Sequence, residues 1–115
     1  MGTAQRRGAA GESLAAAYYE LLGGRVAGRN QRLGGVEVDL IVDEGGTLVL
    51  VEVKLRGRGD FGGAARAVDR AKAERLRRAA RSVGAGARAL RIDVIALEPV
   101  DDGLVLRHYR NAITD

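Results

Sequence analysis

The clearest pattern along the chain is an alternation of apolar and polar residues on both sides of Gly45-Gly46. Period-two alternation predicts two β-strands, and Gly-Gly is a favoured two-residue hairpin turn. Because opposed residues in such a hairpin have numbers with a constant sum, Asp39 is expected to face Glu52, and Glu37 to face Lys54. These four charged residues share one face of the hairpin, since side chains alternate along a strand. The other face is predicted to be wholly apolar and consists of Val36, Val38, Leu40, Val42, Val49, Val51, Val53 and Leu55.

Two segments have the spacing of amphipathic helices. The first runs from Gly11 to Leu22 and ends at Gly23-Gly24; residues 1–8 are expected to be frayed, which places Glu12 in the first turn. Its predicted apolar stripe consists of Leu14, Tyr18, Leu21 and Leu22. The second helix is predicted from Ala64 to Val83. Its inner stripe consists of Val68, Leu76, Ala79 and Val83, with Lys72 between them.

Three further segments are predicted to be strands, which defines the fold class. They are Arg25 to Leu33, Ala89 to Leu97 (ended by Pro99) and Leu104 to Tyr109. The segment between the hairpin and Ala89 has the length of a crossover connection, so the strands that flank it are expected to be parallel. The pattern predicts one α/β domain over residues 1–115, with a mixed central sheet of about five strands and helices against it.

Composition narrows the classes of protein. The chain of 115 residues has no apolar run long enough to cross a bilayer, and its arginine-bearing start lacks the apolar core of a signal peptide. Cysteine is absent, which removes disulfides and thiolate zinc sites. We therefore expect a cytoplasmic protein with no membrane partner.

Charge points to a polyanionic partner. The net charge is +4 and the isoelectric point is about 10.1, values typical of small domains that bind nucleic acid, although a soluble charged surface accounts for them equally well. The loop after Lys54 carries Arg56 and Arg58 among glycines, and the second helix carries Lys72 and Arg75. These four residues are the candidates for phosphate contacts. Lys72 either extends to the rim of the helix or points across the sheet toward the charged face of the hairpin.

The acidic pair of the hairpin is the candidate chemistry. Like charges on opposed strand positions are destabilising, so Asp39 against Glu52 calls for a bound cation. Mg²⁺ takes oxygen ligands, usually one or two carboxylates together with waters and substrate phosphates. Lys54, two residues beyond Glu52, could orient the attacking water or neutralise charge on a phosphate. Glu12 either complements the dipole of the first helix or points at this cluster.

At these residues the chain resembles the PD-(D/E)xK nucleases of the restriction-endonuclease-like fold, through Asp39 followed by Glu52-Val53-Lys54. In detail it is similar to the YraN family of small bacterial proteins, described as predicted endonucleases related to archaeal Holliday junction resolvases. The matching blocks are Gly11-Glu12, Arg29-Asn30, Glu37-Val38-Asp39-Leu40-Ile41, Val51-Glu52-Val53-Lys54, Lys72, Arg75-Leu76, Asp93-Val94-Ile95 and Arg110-Asn111-Ala112. Val36 stands where the family usually has glycine.

The resemblance implies a restriction-endonuclease-like α/β/α sandwich and a metal-dependent endonuclease that acts on DNA, with branched or junction DNA as a candidate substrate. It assigns Glu12, Asp39 and Glu52 to the acidic site, with Asp39 and Glu52 as ligands of Mg²⁺ or Mn²⁺, and Lys54 as the catalytic lysine. A homodimer would suit a junction-cutting enzyme, which needs two active sites for two cuts.

Two other functions remain open at this point. The first is a nucleic-acid-binding module with the same fold and no turnover. The second is a protein-interaction domain in which Glu37–Lys54 and Arg91–Asp93 are simple ion pairs. His108, the single histidine, receives no role.

Overall fold

The hairpin is the centre of a five-stranded sheet with a helix on each face. The computed structural model describes residues 2–56, 70–83 and 89–114. The elements in chain order are α1 (Thr3–Leu21), β1 (Arg25–Leu33), β2 (Val36–Glu44), β3 (Thr47–Leu55), α2 (Arg70–Ser82), β4 (Leu90–Val100) and β5 (Gly103–Tyr109). The strands follow the order β1-β2-β3-β4-β5, and all neighbours are antiparallel except β3 and β4. The α/β class, the mixed five-stranded sheet and the parallel crossover are therefore confirmed.

Two apolar clusters cover the two faces of the sheet. Under α1 lie Ala15, Ala16, Tyr19, Leu40, Val42, Val49, Val51, Ile95 and Leu97. Under α2 lie Val36, Val38, Ile41, Leu50, Leu76, Ala79, Ile92, Val94 and Ile113. The prediction of a hairpin with one apolar and one charged face is wrong, because Ile41 and Leu50 are buried beneath α2. Within the described residues, no helix has the length and apolar character needed to span a membrane.

Helix α1 differs from its prediction in length and in its buried face. It starts at Thr3, so residues 3–8 are helical and Glu12 lies in mid-helix. The predicted stripe is largely exposed, with Leu21 87% accessible, whereas Tyr19 is fully buried. The helix approaches the sheet through small residues: a Cβ added at Gly11 would lie 3.2 Å from Leu97 Cδ1. The buried face of α1 is the one whose small residues let the helix backbone approach the sheet closely. The positions of the leucines did not indicate this face.

The hairpin register is confirmed. Glu44 pairs with Thr47, and the pairing continues to Leu40 with Val51. Gly45 and Gly46 have φ values of 58° and 91°, the left-handed conformations that such a turn needs.

Strand β4 runs past Pro99, where its end was predicted. Pairing with β3 stops at Leu97, so Pro99 has only β5 as a neighbour. A residue without an N–H is tolerated where one edge of the strand is open. The predicted start of the second helix at Ala64 lies outside the described residues.

We predict that Gly34→Ala destabilises the fold by roughly 2–3 kcal/mol. Gly34 has a φ of 59°, and an added Cβ would lie 2.8 Å from Ser82 Cβ, so left-handed strain and a clash with α2 combine. Gly35→Ala is the matched control, because Gly35 has a φ of 79° with open space around it, and should cost only about 1 kcal/mol. Urea denaturation of both variants measures the difference; equal losses would contradict the proposed clash.

Candidate active site

Strands β2 and β3 part at Asp39 and Glu52. Their pairing ends at Leu40–Val51, although each strand continues alongside its outer neighbour. At this point Asp39 Oδ2 accepts a hydrogen bond of 2.8 Å from the Val53 N–H. The Asp39 carboxylate therefore accepts a hydrogen bond from a main-chain N–H of β3 that continued pairing with β2 would have used. The acidic pair lies where the sheet opens between its second and third strands.

Glu52 is buried beside Lys72 of α2. The Glu52 residue is 3% accessible, and Lys72 Nζ lies 2.6 Å from its Oε1. Of the two orientations considered for Lys72, the structure has the one that points across the sheet to the acidic pair. The side chain of Lys72 keeps 32% accessibility, so its charge is shared between the buried carboxylate and the surface.

Burial makes the ionised form of this pair unfavourable. Burial raises the pKa of Glu52, the charge of Asp39 raises it further, and Lys72 and Lys54 lower it. Burial likewise raises the pKa of Asp39, against the Val53 hydrogen bond and the charge of Lys72. Both pKa values remain above their ordinary range, because the effect of burial on the charged form outweighs the partners that favour it.

Glu12 belongs to the same electrostatic cluster. Burial raises its pKa, a hydrogen bond from Asn30 opposes the shift, and the charge of Asp39 adds to it. Asn30 Nδ2 donates to Glu12 Oε1 at 3.0 Å. The helix-dipole explanation of Glu12 is wrong, because that effect is confined to the first turn and α1 starts nine residues earlier at Thr3.

Asn30 was not among the site residues predicted from sequence. Its φ of 50° is left-handed, and the β1–β2 pairing omits it together with Asp39, between Arg29–Leu40 and Gln31–Val38. Asparagine tolerates this conformation better than most residues, so an asparagine within a strand pattern is the signal that could have indicated the irregularity. The bend directs its amide to Glu12.

Lys54 and Glu37 are not paired with each other. Neither forms an ion pair with any of the described residues, so the predicted Glu37–Lys54 pair is wrong. The pairing of β2 with β3 ends at Leu40–Val51, so Glu37 and Lys54 lie beyond the paired part of the hairpin and are not in contact across it. Lys54 is half-buried, and its charge acts on Glu52.

Three of the four candidate phosphate-binding residues lie within the described part of the chain. Arg56 follows β3 directly, and its main-chain N–H donates to Leu97 O at 2.8 Å. Arg75 is exposed on α2, one turn from Lys72. Arg58 lies outside the described residues.

A second polar cluster occupies the α1 side of the sheet. Asp93 is fully buried. Its carboxylate accepts hydrogen bonds from Arg91 Nε at 2.8 Å, from the Asn111 N–H at 2.9 Å and from Tyr19 Oη at 2.8 Å. His108 Nε2 lies 2.7 Å from the same carboxylate. Burial alone would raise the pKa of Asp93, but these partners outweigh it and hold the pKa below its usual range. The predicted Arg91–Asp93 ion pair is confirmed, and His108 is part of its network.

The donor set of Asp39 and Glu52 suits a hard divalent cation. Both offer carboxylate oxygens, and each has one oxygen outside the contacts described above. Among the described residues no three acidic, histidine or cysteine side chains form a ready metal-binding group. Mg²⁺ needs no such group, because it commonly binds through one or two carboxylates with waters and substrate phosphates.

The fold indicates the structural class of the protein, and the sequence comparisons show its family. The five-stranded mixed sheet between two helices is compatible with a restriction-endonuclease-like sandwich. The sequence profile of uncharacterised protein family UPF0102 matches residues 11–97, and the chain belongs to this family. The resemblance to the YraN family is thereby confirmed.

Similar proteins match over most of their length. A UPF0102 protein of Symbiobacterium thermophilum is 41% identical over 113 residues, which cover 94% of this chain and 96% of that protein. A UPF0102 protein of Corynebacterium efficiens is 44% identical, with 91% and 89% covered. One of Beutenbergia cavernae is 47% identical, with 78% and 80% covered.

We predict that Asp39→Asn stabilises the metal-free protein at pH 7.5 by roughly 1 kcal/mol, the usual size of a single-site effect. The neutral amide removes a half-buried negative charge that acts on Glu52, and its oxygen can still accept the Val53 N–H. Urea denaturation in the presence of EDTA measures the change. Asp102→Asn, in the exposed β4–β5 turn, is the control and should change nothing; a clear loss of stability in Asp39→Asn would contradict the interpretation.

Asp93→Ala should have the opposite effect and cost about 3–5 kcal/mol at pH 7, because it removes the buried carboxylate from its ion pair with Arg91, which keeps only Glu44, and leaves the Asn111 N–H without its acceptor. The lowered pKa gives a pH dependence. The contribution of Asp93 is complete above the unfolded-chain value of about 3.9 and is lost as the pH falls through the lower folded-state value. Denaturation at pH 7 and pH 3 should show the gap between variant and parent narrowing in acid; a constant gap would count against this assignment.

Proposed function

We propose that the protein is a metal-dependent endonuclease that hydrolyses phosphodiester bonds in DNA. The observation that carries this proposal is the acidic pair of half-buried Asp39 and buried Glu52, which lies where β2 and β3 separate, with Lys54 following Glu52 on the same strand. Two under-compensated carboxylates beside a lysine are suited to phosphodiester chemistry. They offer oxygen ligands for a cation and a positive charge for the phosphate.

Asp39 and Glu52 would hold Mg²⁺ or Mn²⁺. When bound, such an ion polarises a phosphoryl oxygen and lowers the pKa of a coordinated water. The Val53 N–H fixes the Asp39 carboxylate through Oδ2 at the point where β2 and β3 separate. Glu12, oriented by Asn30, adds a third carboxylate at the edge of the site, where it can accept a proton or a water hydrogen bond.

Lys54 is the candidate for stabilising the reacting phosphate. It has no ion-pair partner within the described part of the chain, so its ammonium is available to a phosphate oxygen. A compact ammonium on a flexible stem can follow the charge that develops on the phosphate during attack by water.

Contacts to the DNA backbone would come from Arg56, Arg58, Lys72 and Arg75. The net charge of +4 favours a polyanion, and its effect should weaken with salt as counterions compete. The chain has four aromatic residues of the Phe and Tyr types, and Tyr19 is bound to Asp93. Duplex or branched DNA contacted through phosphates is therefore a better candidate than single strands stacked on exposed rings. Cleavage of a junction would require a homodimer.

The direct test is cleavage of duplex, flap and four-way-junction DNA with and without Mg²⁺ or Mn²⁺. Glu52→Gln, Lys54→Met and Glu12→Gln should each lower the rate by roughly 10²-fold or more, because they remove a metal ligand, the positive charge for the phosphate and a proton acceptor, respectively. Glu20→Gln, on an exposed part of the same helix as Glu12, is the matched control and should retain full activity.

Two outcomes would replace this proposal. Cleavage that survives the double variant Asp39→Ala/Glu52→Ala would place the chemistry elsewhere. Salt-dependent DNA binding without cleavage under either metal would instead support a non-catalytic nucleic-acid-binding module. The specific observation that favours this second candidate is α2, which carries five arginines among its 13 residues.

A further inference from the structure

The contact between Lys72 and Glu52 is not explained by a phosphate-binding role for Lys72. Its ammonium lies 2.6 Å from Glu52 Oε1, deep enough that the carboxylate side chain is only 4% accessible. A residue that serves only DNA would be expected to face solvent. We propose that Lys72 is the built-in counter-ion of the acidic pair, which a divalent cation must displace and which a DNA phosphate then accepts. This inference rests on the proposed function and adds a mechanism for coupling metal binding to DNA.

The buried pair needs a cation whether or not a metal is present. A buried carboxylate left without a positive partner is strongly destabilising. Lys72 supplies that partner from α2, and its charge lowers the pKa of both Glu52 and Asp39. Lys72 therefore occupies the position of a cation beside Glu52 before any metal arrives.

The same contact stands in the way of a metal. Mg²⁺ binds carboxylate oxygens at about 2.1 Å, and its double charge would repel an ammonium held on the same carboxylate. Metal binding to the free protein is consequently weakened by the work of displacing Lys72. Competition between the two cations follows from their shared position and does not depend on a change in protonation.

Lysine is suited to being displaced. Its four-carbon stem lets the ammonium move, whereas the planar fork of an arginine would hold the carboxylate through two bonds. Only Lys54 and Lys72 are lysines among the 19 lysine and arginine residues. The side chain of Lys72 retains 32% accessibility, and Arg75, one turn further along α2, is exposed at the helix surface. A phosphate at that surface would accept the ammonium and free Glu52. By linkage, DNA then strengthens metal binding and metal strengthens DNA binding by the same factor.

The test is calorimetric titration of Mn²⁺ into the parent protein, Lys72→Met and Arg78→Met. Without DNA, Lys72→Met should bind Mn²⁺ at least about fivefold more tightly than the parent, the lower end of typical coupling between sites. Arg78→Met removes one positive charge from an exposed position of the same helix and should stay within roughly twofold, as expected for a solvent-screened charge. An unchanged or weaker affinity in Lys72→Met would overturn the inference.

A second titration adds a short DNA duplex in a Lys54→Met background, which slows cleavage and keeps both carboxylates. DNA should tighten Mn²⁺ binding when Lys72 is present and should lose this effect in Lys72→Met/Lys54→Met. Equal tightening in the two proteins would overturn the role of Lys72 in the coupling.

Two further variants keep the inference testable if Lys72→Met does not fold. Lys72→Arg keeps the positive charge, and Lys72→Met/Glu52→Gln removes the lysine together with its partner. Lys72→Arg retains the positive charge and should bind Mn²⁺ more weakly than the parent; equal affinity would overturn the inference. In EDTA, Lys72→Met should melt at a lower temperature than the parent and should gain more from Mn²⁺. Lys72→Met/Glu52→Gln should recover the melting temperature and lose the Mn²⁺ effect; failure to recover would show that Lys72 does not act as the counter-ion of Glu52.

The cleavage assay separates this inference from the proposed function. A parent protein that cleaves DNA, together with a Lys72→Met variant of unaltered Mn²⁺ affinity, would overturn the counter-ion role alone. A parent protein that neither binds Mn²⁺ nor cleaves would overturn both.

Discussion

The hydrogen bond from the Val53 N–H to the Asp39 carboxylate is the constraint on which the candidate site depends. A hairpin that continued its regular ladder would place two acids opposite each other at the cost of their repulsion. Here the ladder stops at Leu40–Val51, and the Asp39 side chain takes over the main-chain donor. The central strands can then separate without leaving a buried N–H unpaired, while each keeps its pairing with an outer strand. The opening so formed is reached by Glu12 from one helix and by Lys72 from the other.

The two acidic clusters of the sheet differ in how far their charge is compensated. Asp93 has partners from β4, β5, α1 and the segment after β5, and its pKa is lowered. Asp39 and Glu52 have fewer partners, and burial raises the pKa of each. The Asp93 cluster therefore stabilises the fold and joins α1 to the sheet. In the other cluster burial shifts the pKa of both acids upward, and shifts of this kind are common at sites that bind or react.

The match to the UPF0102 family covers the part of the chain that contains the candidate site. Relatives at about 40% identity match over nearly the whole chain, so α1 with Glu12, the hairpin and the crossover to β4 all fall within the shared length. The family profile starts at residue 11, next to Glu12, and extends through β4 to Leu97. The region that carries the candidate site is therefore the region that defines the family.

The sequence by itself determined the hairpin, its register, the strand boundaries of β1 to β3 and the parallel crossover, because alternation and a glycine turn act over a few residues. It also identified Asp39 and Glu52 as an unusual pair. Only the tertiary structure decided which face of α1 is buried, that Lys72 reaches Glu52, and that Tyr19 and His108 meet at Asp93. Tyr19 and Asp93 lie 74 positions apart, and such contacts depend on how closely a helix can approach the sheet. That distance was set by Gly11, Ala15 and Ala16, small residues whose fit against the sheet a local hydrophobic pattern does not reveal.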